Sequence, residues 1–270
     1  MFGLPWTWLF RLCSLYSSLN DIPDFEFNRD ILPGEIIKIN DNGIQTIYQY
    51  DNSKLSICAF EYLYFLNPDS ICDGYNVTTV RNNLGKILAD KETLNIDDEY
   101  IVIGIPNSGL LSAKSYATSL SIKYVQAITK NKYSNRTFII PNNVDRINAC
   151  NRKFIYDYDS IANKKVIIID DTIVRGNVIK SIIHNLVLCK ASEIHIRLAA
   201  PPIINICQLG IDIPSREELL AHNKNISQIK DELKVESIKY LTIDELNSVI
   251  PPSSYKECFG EEIDNKMIDW

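Results

Sequence analysis

Apolar and polar positions change period several times along this chain, and each change marks an element. Glu35–Asn40 (EIIKIN) and Ile44–Tyr50 (IQTIYQY) alternate in steps of two around Asp41-Asn42-Gly43, which predicts a β-hairpin. Apolar residues at 77, 80, 84, 87 and 88 fall on one helical stripe, so Val77–Asp90 is expected to be a helix. Two short continuous apolar runs follow, Tyr100–Ile105 (YIVIGI) and Lys165–Ile169 (KVIII). Each precedes a turn, Pro106–Gly109 and Asp170–Gly176, and then a helical pattern, Leu110–Leu120 and Asn177–Leu188. Glu193–Leu198 (EIHIRL) reads as a third strand. Buried strands alternating with helices imply an α/β fold built on a parallel sheet. Ligands of such sheets bind beyond the carboxyl ends of the strands, which directs attention to the turns after 105 and 169.

Between these units, Lys130–Ser160 has little periodicity but carries Lys130, Lys132, Arg136, Arg146, Arg152 and Lys153. A loop of that length is usually functional or disordered, and basic content within an acidic chain favours a lid over an anion. The chain as a whole has 28 Lys and Arg against 34 Asp and Glu, a net charge of -6. That balance excludes a broad nucleic-acid surface while leaving room for a small phosphate ligand. With 46% hydrophobic and 23% charged residues in 270, the composition is that of a globular protein able to bury its own core. Seven scattered cysteines (13, 58, 72, 150, 189, 207 and 258) without C-x-x-C spacing read as reduced thiols. No apolar run approaches the ~20 residues of a membrane span. The apolar Met1–Phe10 is short, contains Pro5 and lacks the layout of a secretory signal. A cytoplasmic location with no membrane association is expected.

The most informative stretch is Val166–Gly176, VIIIDDTIVRG. Two adjacent carboxylates close a buried strand, and a hydroxyl, an arginine and a glycine lead into a helix. Free N–H groups and the positive end of a helix suit a phosphate. Carboxylates just before it can accept from ribose hydroxyls and share Mg2+ with a diphosphate. A lone Asp-Asp at this position would more often be plain helix capping; the eleven-residue string is far more specific.

VIIIDDTIVRG resembles the phosphoribosyl-diphosphate (PRPP) motif of the type I phosphoribosyltransferases, in its amidophosphoribosyltransferase form. Arg29–Glu35 (RDILPGE), Cys58–Asp69 (CAFEYLYFLNPD), Ile103–Gly109 (IGIPNSG), Lys130–Pro141 (KNKYSNRTFIIP) and Ala200–Glu218 (APPIINICQLGIDIPSREE) match the same family in order. The resemblance runs from about 21 to 247 and covers the phosphoribosyltransferase half of that family. It implies a parallel sheet flanked by helices, with a small β-rich N-terminal part and a helical C-terminal part. Residues 1–28 would then be a remnant or tail of a glutaminase domain, 29–250 the phosphoribosyltransferase domain and 251–270 a C-terminal tail.

The resemblance also implies roles. Asp170 and Asp171 would hold ribose hydroxyls and Mg2+, with Ser108 as a further metal residue beside Asn107 on the diphosphate turn. Thr172, Ile173, Val174, Arg175, Gly176 and Asn177 would form the 5'-phosphate loop. Lys130 and Arg136 would be the catalytic cations of a loop, extending to Lys153, that closes over PRPP. Closure would keep water from a ribosyl cation, and fixed cations would neutralise the departing diphosphate.

The chain departs from the family at several places. Phe2 follows Met1, and Cys13 is followed by Ser14 and Leu15, so the N-terminal cysteine setting of a glutaminase is missing. Ammonia, free or from a separate glutaminase subunit, is the expected nitrogen source. Asn177-Val178 replaces Thr-Thr, which removes two hydroxyl donors and predicts weaker phosphate binding; Asn107 replaces a carboxylate and Asn151 an arginine. Cys58 and Cys207 match two iron–sulfur ligand positions of some members, but only Cys258 stands where a C-x-x-C would complete the set, so no cluster is expected. Further expected partners are purine nucleotides as inhibitors and other copies of the chain in a homo-oligomer. The competing reading is a degenerate phosphoribosyltransferase that binds PRPP or a purine nucleotide and regulates a partner. No P-loop motif occurs. His184, His195 and His222 are expected on the surface or on helices, Tyr62–Phe65 in the core, and Ser215–Glu218 as a capping box opening a helix.

Overall fold

The computed structural model describes residues 29–51, 54–131, 153–208, 210 and 215–260. Its first element is the expected hairpin, β1 (Glu35–Asn40) antiparallel to β2 (Gly43–Gln49), with Asn40 opposite Gly43. Gly43 has φ 110°, a value that suits glycine at the turn. Ile36, Ile39, Ile47 and Tyr48 of this hairpin are exposed. A π-helical turn, Glu61–Phe65, and a small ribbon of β3 (Ile71–Cys72) and β4 (Tyr75–Asn76) lead into α1 (Val77–Asp90). Asn76 caps α1 by accepting from the Thr79 amide, one of the donors a helix start leaves without a partner.

The α/β body follows. It comprises β5 (Tyr100–Gly104), α2 (Gly109–Leu120), β6 (Lys123–Tyr124), the antiparallel ribbon of β7 (Ile128–Lys130) and β8 (Phe154–Tyr156), and a short α3 (Tyr158–Ile161). Then come β9 (Lys165–Asp170), α4 (Asn177–Leu188), β10 (Glu193–Leu198), α5 (Ile226–Leu233), β11 (Ser237–Tyr240) and α6 (Ile243–Asn247). Five strands form one sheet in the order β11-β10-β9-β5-β6, and every pair is parallel. The near-continuous apolar strands are explained by burial on both faces. Ile167 and Ile169 of β9 face one core with Val80, Leu84, Tyr116 and Ala117 of α1 and α2. Val166 and Ile168 face the other, with Ile182 and Leu186 of α4 and Ile229 of α5. Each fully buried aliphatic side chain contributes about 1.5–3 kcal/mol.

Helices α1 and α2 touch at a glycine. A Cβ on Gly85 would lie 2.2 Å from the Ser112 carbonyl oxygen. Gly85→Ala is therefore expected to destabilise the fold by about 1–3 kcal/mol through overpacking, exceeding the ~1 kcal/mol that alanine contributes as a helix former. Urea denaturation checks this; an equal or raised midpoint would show that the helices separate freely.

Several expectations change. The strand after Lys165 extends to Asp170, and α2 begins at Gly109 rather than Leu110. The long basic segment is structured at both ends, because Lys130 and Phe154 pair across the β7–β8 ribbon; its centre lies outside the described residues. Ser215–Glu218 opens no long helix. Arg216–Glu218 is a single 3-10 turn, Ser215 makes no side-chain cap, and capping boxes stand instead at Asn225 and Gln228 of α5 and at Thr242 and Glu245 of α6. Tyr62 and Leu63 are buried as expected, but Tyr64 and Phe65 are about half exposed. His195 is buried within β10, bonded to Ser237 and Glu193, because burial of Tyr100 and Arg197 beside it closes that face of the sheet. Residues 251–260, expected as the start of a tail, carry the buried Tyr255, Cys258 and Phe259, and the Tyr255 amide donates to Ile57.

Candidate active site

The strand order places the crevice. After β5 the chain runs through α2 outward to β6; after its neighbour β9 it runs through α4 the other way to β10. The two connections diverge, and the gap beyond the carboxyl ends of β5 and β9 is the switch point at which open α/β sheets bind ligands. The turns after the two strands are joined at their base. The Ile105 amide donates to the Ile169 carbonyl at 2.9 Å, and a Cβ on Gly109 would sit 2.5 Å from that same oxygen. Only glycine allows the start of α2 to come so near β9.

Asp170 ends β9, its carbonyl accepting from the Ala199 amide at 2.9 Å. Its Oδ1 accepts from the Asp171 amide at 2.9 Å, and Asp171 Oδ2 accepts from the Thr172 hydroxyl at 3.1 Å. Both aspartates are buried. Burial, and then the adjacent Asp171 carboxylate, push the Asp170 carboxyl well above the usual carboxylate range, while Lys153 opposes them. A buried carboxylate under this pressure favours a proton or a cation.

The turn after Asp171 is fixed by its apolar residues. Ile173 is buried in one core and Val174 packs against the other, so both side chains anchor the turn. Any contact these two residues make with a ligand is left to their backbone. Gly176 caps α4 with φ 81°. Arg175 Nε donates to Glu218, and Asn177 starts the helix, half-buried like Thr172. On the other turn, Asn107 is exposed and Ser108 half-buried at the N-terminus of α2, with no side-chain capping bond. The Pro106–Asn107 peptide is cis.

The two turns and the carboxylate pair thus share one lip of the sheet. Lys130 is exposed on β7, with no described contact to either aspartate; Lys153, across the ribbon, is the lysine whose charge reaches Asp170. Arg136 lies outside the described residues. Two neighbours escaped the sequence reading. Burial and then the Asp171 and Asp170 carboxylates raise the Tyr64 phenol, which puts Tyr64 beside the site. Arg81 is buried on α1, donating to the Tyr62 and Leu66 carbonyls at the ends of the π-turn, both at 2.9 Å. Burial lowers its guanidinium and Asp171 opposes this. A charged residue four positions after Val77, inside the apolar stripe of α1, was the available signal.

Asp170, Asp171 and Ser108 offer hard oxygen donors. Among the described residues no three His, Cys, Asp or Glu side chains converge as a metal cage. Magnesium is commonly held by one or two carboxylates and completed by substrate phosphates, so the donor set fits that ion, and the raised Asp170 marks where a cation would relieve charge. Cys58 and Cys207 are half-buried and Cys258 buried; burial first, then the neighbouring thiols, push the Cys258 thiol up, which disfavours a thiolate. No helix among the described residues is long and apolar enough to cross a membrane.

Residues 77–201 match the model of the phosphoribosyl transferase domain. An amidophosphoribosyltransferase of Bacillus subtilis is 35% identical over 226 residues, which are 84% of this chain and 47% of that protein. The amidophosphoribosyltransferase of Homo sapiens is 37% identical over 227 residues, 83% of this chain and 43% of its own. The chain spans about half the length of the curated relatives it matches. Among solved structures, a glutamine PRPP amidotransferase from B. subtilis complexed with ADP and GMP superimposes with a TM-score of 0.75 at 33% identity, covering 86% of this chain and 52% of that one. The chain belongs to the type I phosphoribosyltransferase family and corresponds to the phosphoribosyltransferase half of the amidophosphoribosyltransferases.

Proposed function

We propose that the chain transfers the phosphoribosyl group of PRPP to ammonia, forming 5-phosphoribosylamine and diphosphate, in the cytoplasm. The observation that carries this reading is the buried Asp170–Asp171 pair between two turns at the switch point of the sheet. In this reading the C1–O bond of PRPP breaks, diphosphate leaves with the electron pair, and the ammonia nitrogen bonds to C1 and then loses a proton to solvent. Asp170 and Asp171 accept from the ribose hydroxyls and orient the sugar. Residues Thr172 to Asn177 hold the 5'-phosphate with backbone amides at the start of α4. Asn107 and Ser108 face the diphosphate, and Lys130 and Arg136 supply the cations that neutralise it as it departs. Mg2+, held by Asp170, Asp171 and Ser108 together with substrate oxygens, would supply further charge neutralisation for the leaving diphosphate.

The nitrogen donor is ammonia, free or handed over by a glutaminase. Exposed Ile36, Ile47 and Tyr48 on the open hairpin support contact with another surface, either a glutaminase subunit or a second copy in a homo-oligomer. The B. subtilis relative was solved in complex with ADP and GMP, which supports purine nucleotides as ligands, and in this reading they act as inhibitors.

Free NH3 is the nucleophile, so diphosphate release at fixed total ammonium is expected to rise with pH from neutral to mildly alkaline. Glutamine without ammonium should yield no glutamate. Glutamate formation by this chain would overturn the choice of donor. PRPP binding without diphosphate release at any pH would replace the enzyme by a PRPP-binding regulatory module.

A further inference from the structure

The turn assigned above to the 5'-phosphate is held in shape from outside. Among the described residues, no backbone carbonyl accepts from the amides of Ile173, Val174, Gly176 or Asn177. Internal backbone bonds through these amides therefore do not set the turn. The Ile173 and Val174 side chains anchor it in the two cores, and contacts from one short segment complete the hold. Glu218, at the end of the 3-10 turn Arg216–Glu218, accepts from Arg175 Nε at 2.5 Å. Two residues further on, the Leu220 amide donates to the Val174 carbonyl at 2.9 Å. The Leu220 side chain packs over Gly176, where a Cβ would come within 3.3 Å of it. Three consecutive turn residues, Val174, Arg175 and Gly176, are each touched by Glu218 or Leu220.

The Arg175 and Glu218 side chains are 23% and 42% exposed, so their attraction adds little to stability in water. What the contact fixes is direction. An arginine side chain is long and rotamer-rich, and its five donors sit in a rigid fork, so one anchored edge determines where the others point. Order established before binding need not be created during it.

We infer that Glu218 is a positioning residue for the 5'-phosphate turn, acting through Arg175 while Leu220 holds the backbone on either side. This rests on reading residues 172–177 as the phosphate cradle. The 216–220 segment is then part of the binding apparatus, although it touches no substrate itself.

The test uses the full chain and two probes that divide PRPP between them, ribose 5-phosphate and inorganic diphosphate, each titrated by calorimetry. Glu218→Ala is expected to weaken ribose 5-phosphate about tenfold, the scale of one charge-assisted bond, and to leave diphosphate unchanged. Glu218→Gln, which keeps an acceptor oxygen, should fall between wild type and Glu218→Ala. Arg175→Ala and the double variant Arg175→Ala with Glu218→Ala should bind alike, because Glu218 acts only through Arg175. Unchanged ribose 5-phosphate affinity in Glu218→Ala would overturn the inference, as would an equal loss of both probes. A wild-type chain that binds diphosphate but not ribose 5-phosphate would instead overturn the reading of the turn, and this inference with it.

Discussion

Replacing Asp170 and Asp171 together by asparagine is expected to weaken PRPP binding in the presence of Mg2+ by about 2–4 kcal/mol, because charge-assisted bonds to hydroxyls and to the metal are lost together. The same change should make the ligand-free protein more stable at neutral pH. Asp170 is buried, and Asp171 stands beside it, so its carboxyl is held well above the usual carboxylate range. A group whose value is raised on folding contributes stability below its unfolded value and loses that contribution as pH rises through the folded one. At neutral pH folding therefore works against ionisation of this carboxyl, and asparagine removes that penalty. The asparagine oxygen can still accept from the residue 171 amide as Asp170 Oδ1 does at 2.9 Å, so the local geometry survives. Calorimetry and denaturation over a pH series check both halves. Equal PRPP affinity in the double variant would remove the aspartates from the site. Parallel stability curves for wild type and Asp170→Asn would show that the carboxyl is not under electrostatic pressure.

A second large effect lies away from the crevice. Arg197 on β10 is fully buried and donates Nε to Glu92 Oε2 at 2.6 Å. The Tyr116 hydroxyl reaches the same oxygen at 2.5 Å, while Lys239 and the Thr93 and Leu94 amides reach Oε1 at 3.1, 2.7 and 3.0 Å. This network ties the end of α1 to α2, β10 and β11. Burial opposes ionisation of Glu92, yet the bonds from Arg197 and Tyr116 outweigh it and hold the carboxyl far below its ordinary value. Arg197→Met would leave that carboxylate buried with its strongest partner gone. The expected cost is about 3–5 kcal/mol at neutral pH, the range found when one member of a buried pair is removed. Since Glu92 is depressed on folding, its contribution is present above the ordinary carboxylate value and disappears as pH falls through the folded one. The wild-type and Arg197→Met denaturation curves should therefore converge in acid. Adding Glu92→Gln to Arg197→Met should recover part of the loss. Strictly additive losses in the double variant would mean that the two side chains are not coupled.

Much of this molecule is legible in one dimension because its dominant interactions are periodic or local. The runs at 100–105 and 166–169 are almost continuously apolar, and a strand buried on both faces needs that pattern. The turn at 170–176 is local chemistry: two carboxylates end a strand and a glycine with φ 81° opens a helix within seven residues. Both were readable without a partner from elsewhere in the chain.

What only the tertiary structure decided depends on residues far apart in sequence. The order β11-β10-β9-β5-β6 makes β5 and β9 neighbours, and without that adjacency the two turns would be unrelated loops. Periodicity reports which face of an element is buried, not which element buries it, so the nearness of Tyr64 to the site was invisible and Arg81 showed only as a charge inside an apolar stripe. The same holds for His195, whose polar character suggested a surface position until β11 supplied Ser237 as its partner. Segment 215–220 shows the limit most directly. Ser-Arg-Glu-Glu has the spacing of a helix cap, but Leu219 and Leu220 are drawn into the two cores, and Glu218 is drawn to Arg175, 43 residues away. Local propensity amounts to a few tenths of a kcal/mol per residue, and burying two leucines outweighs it.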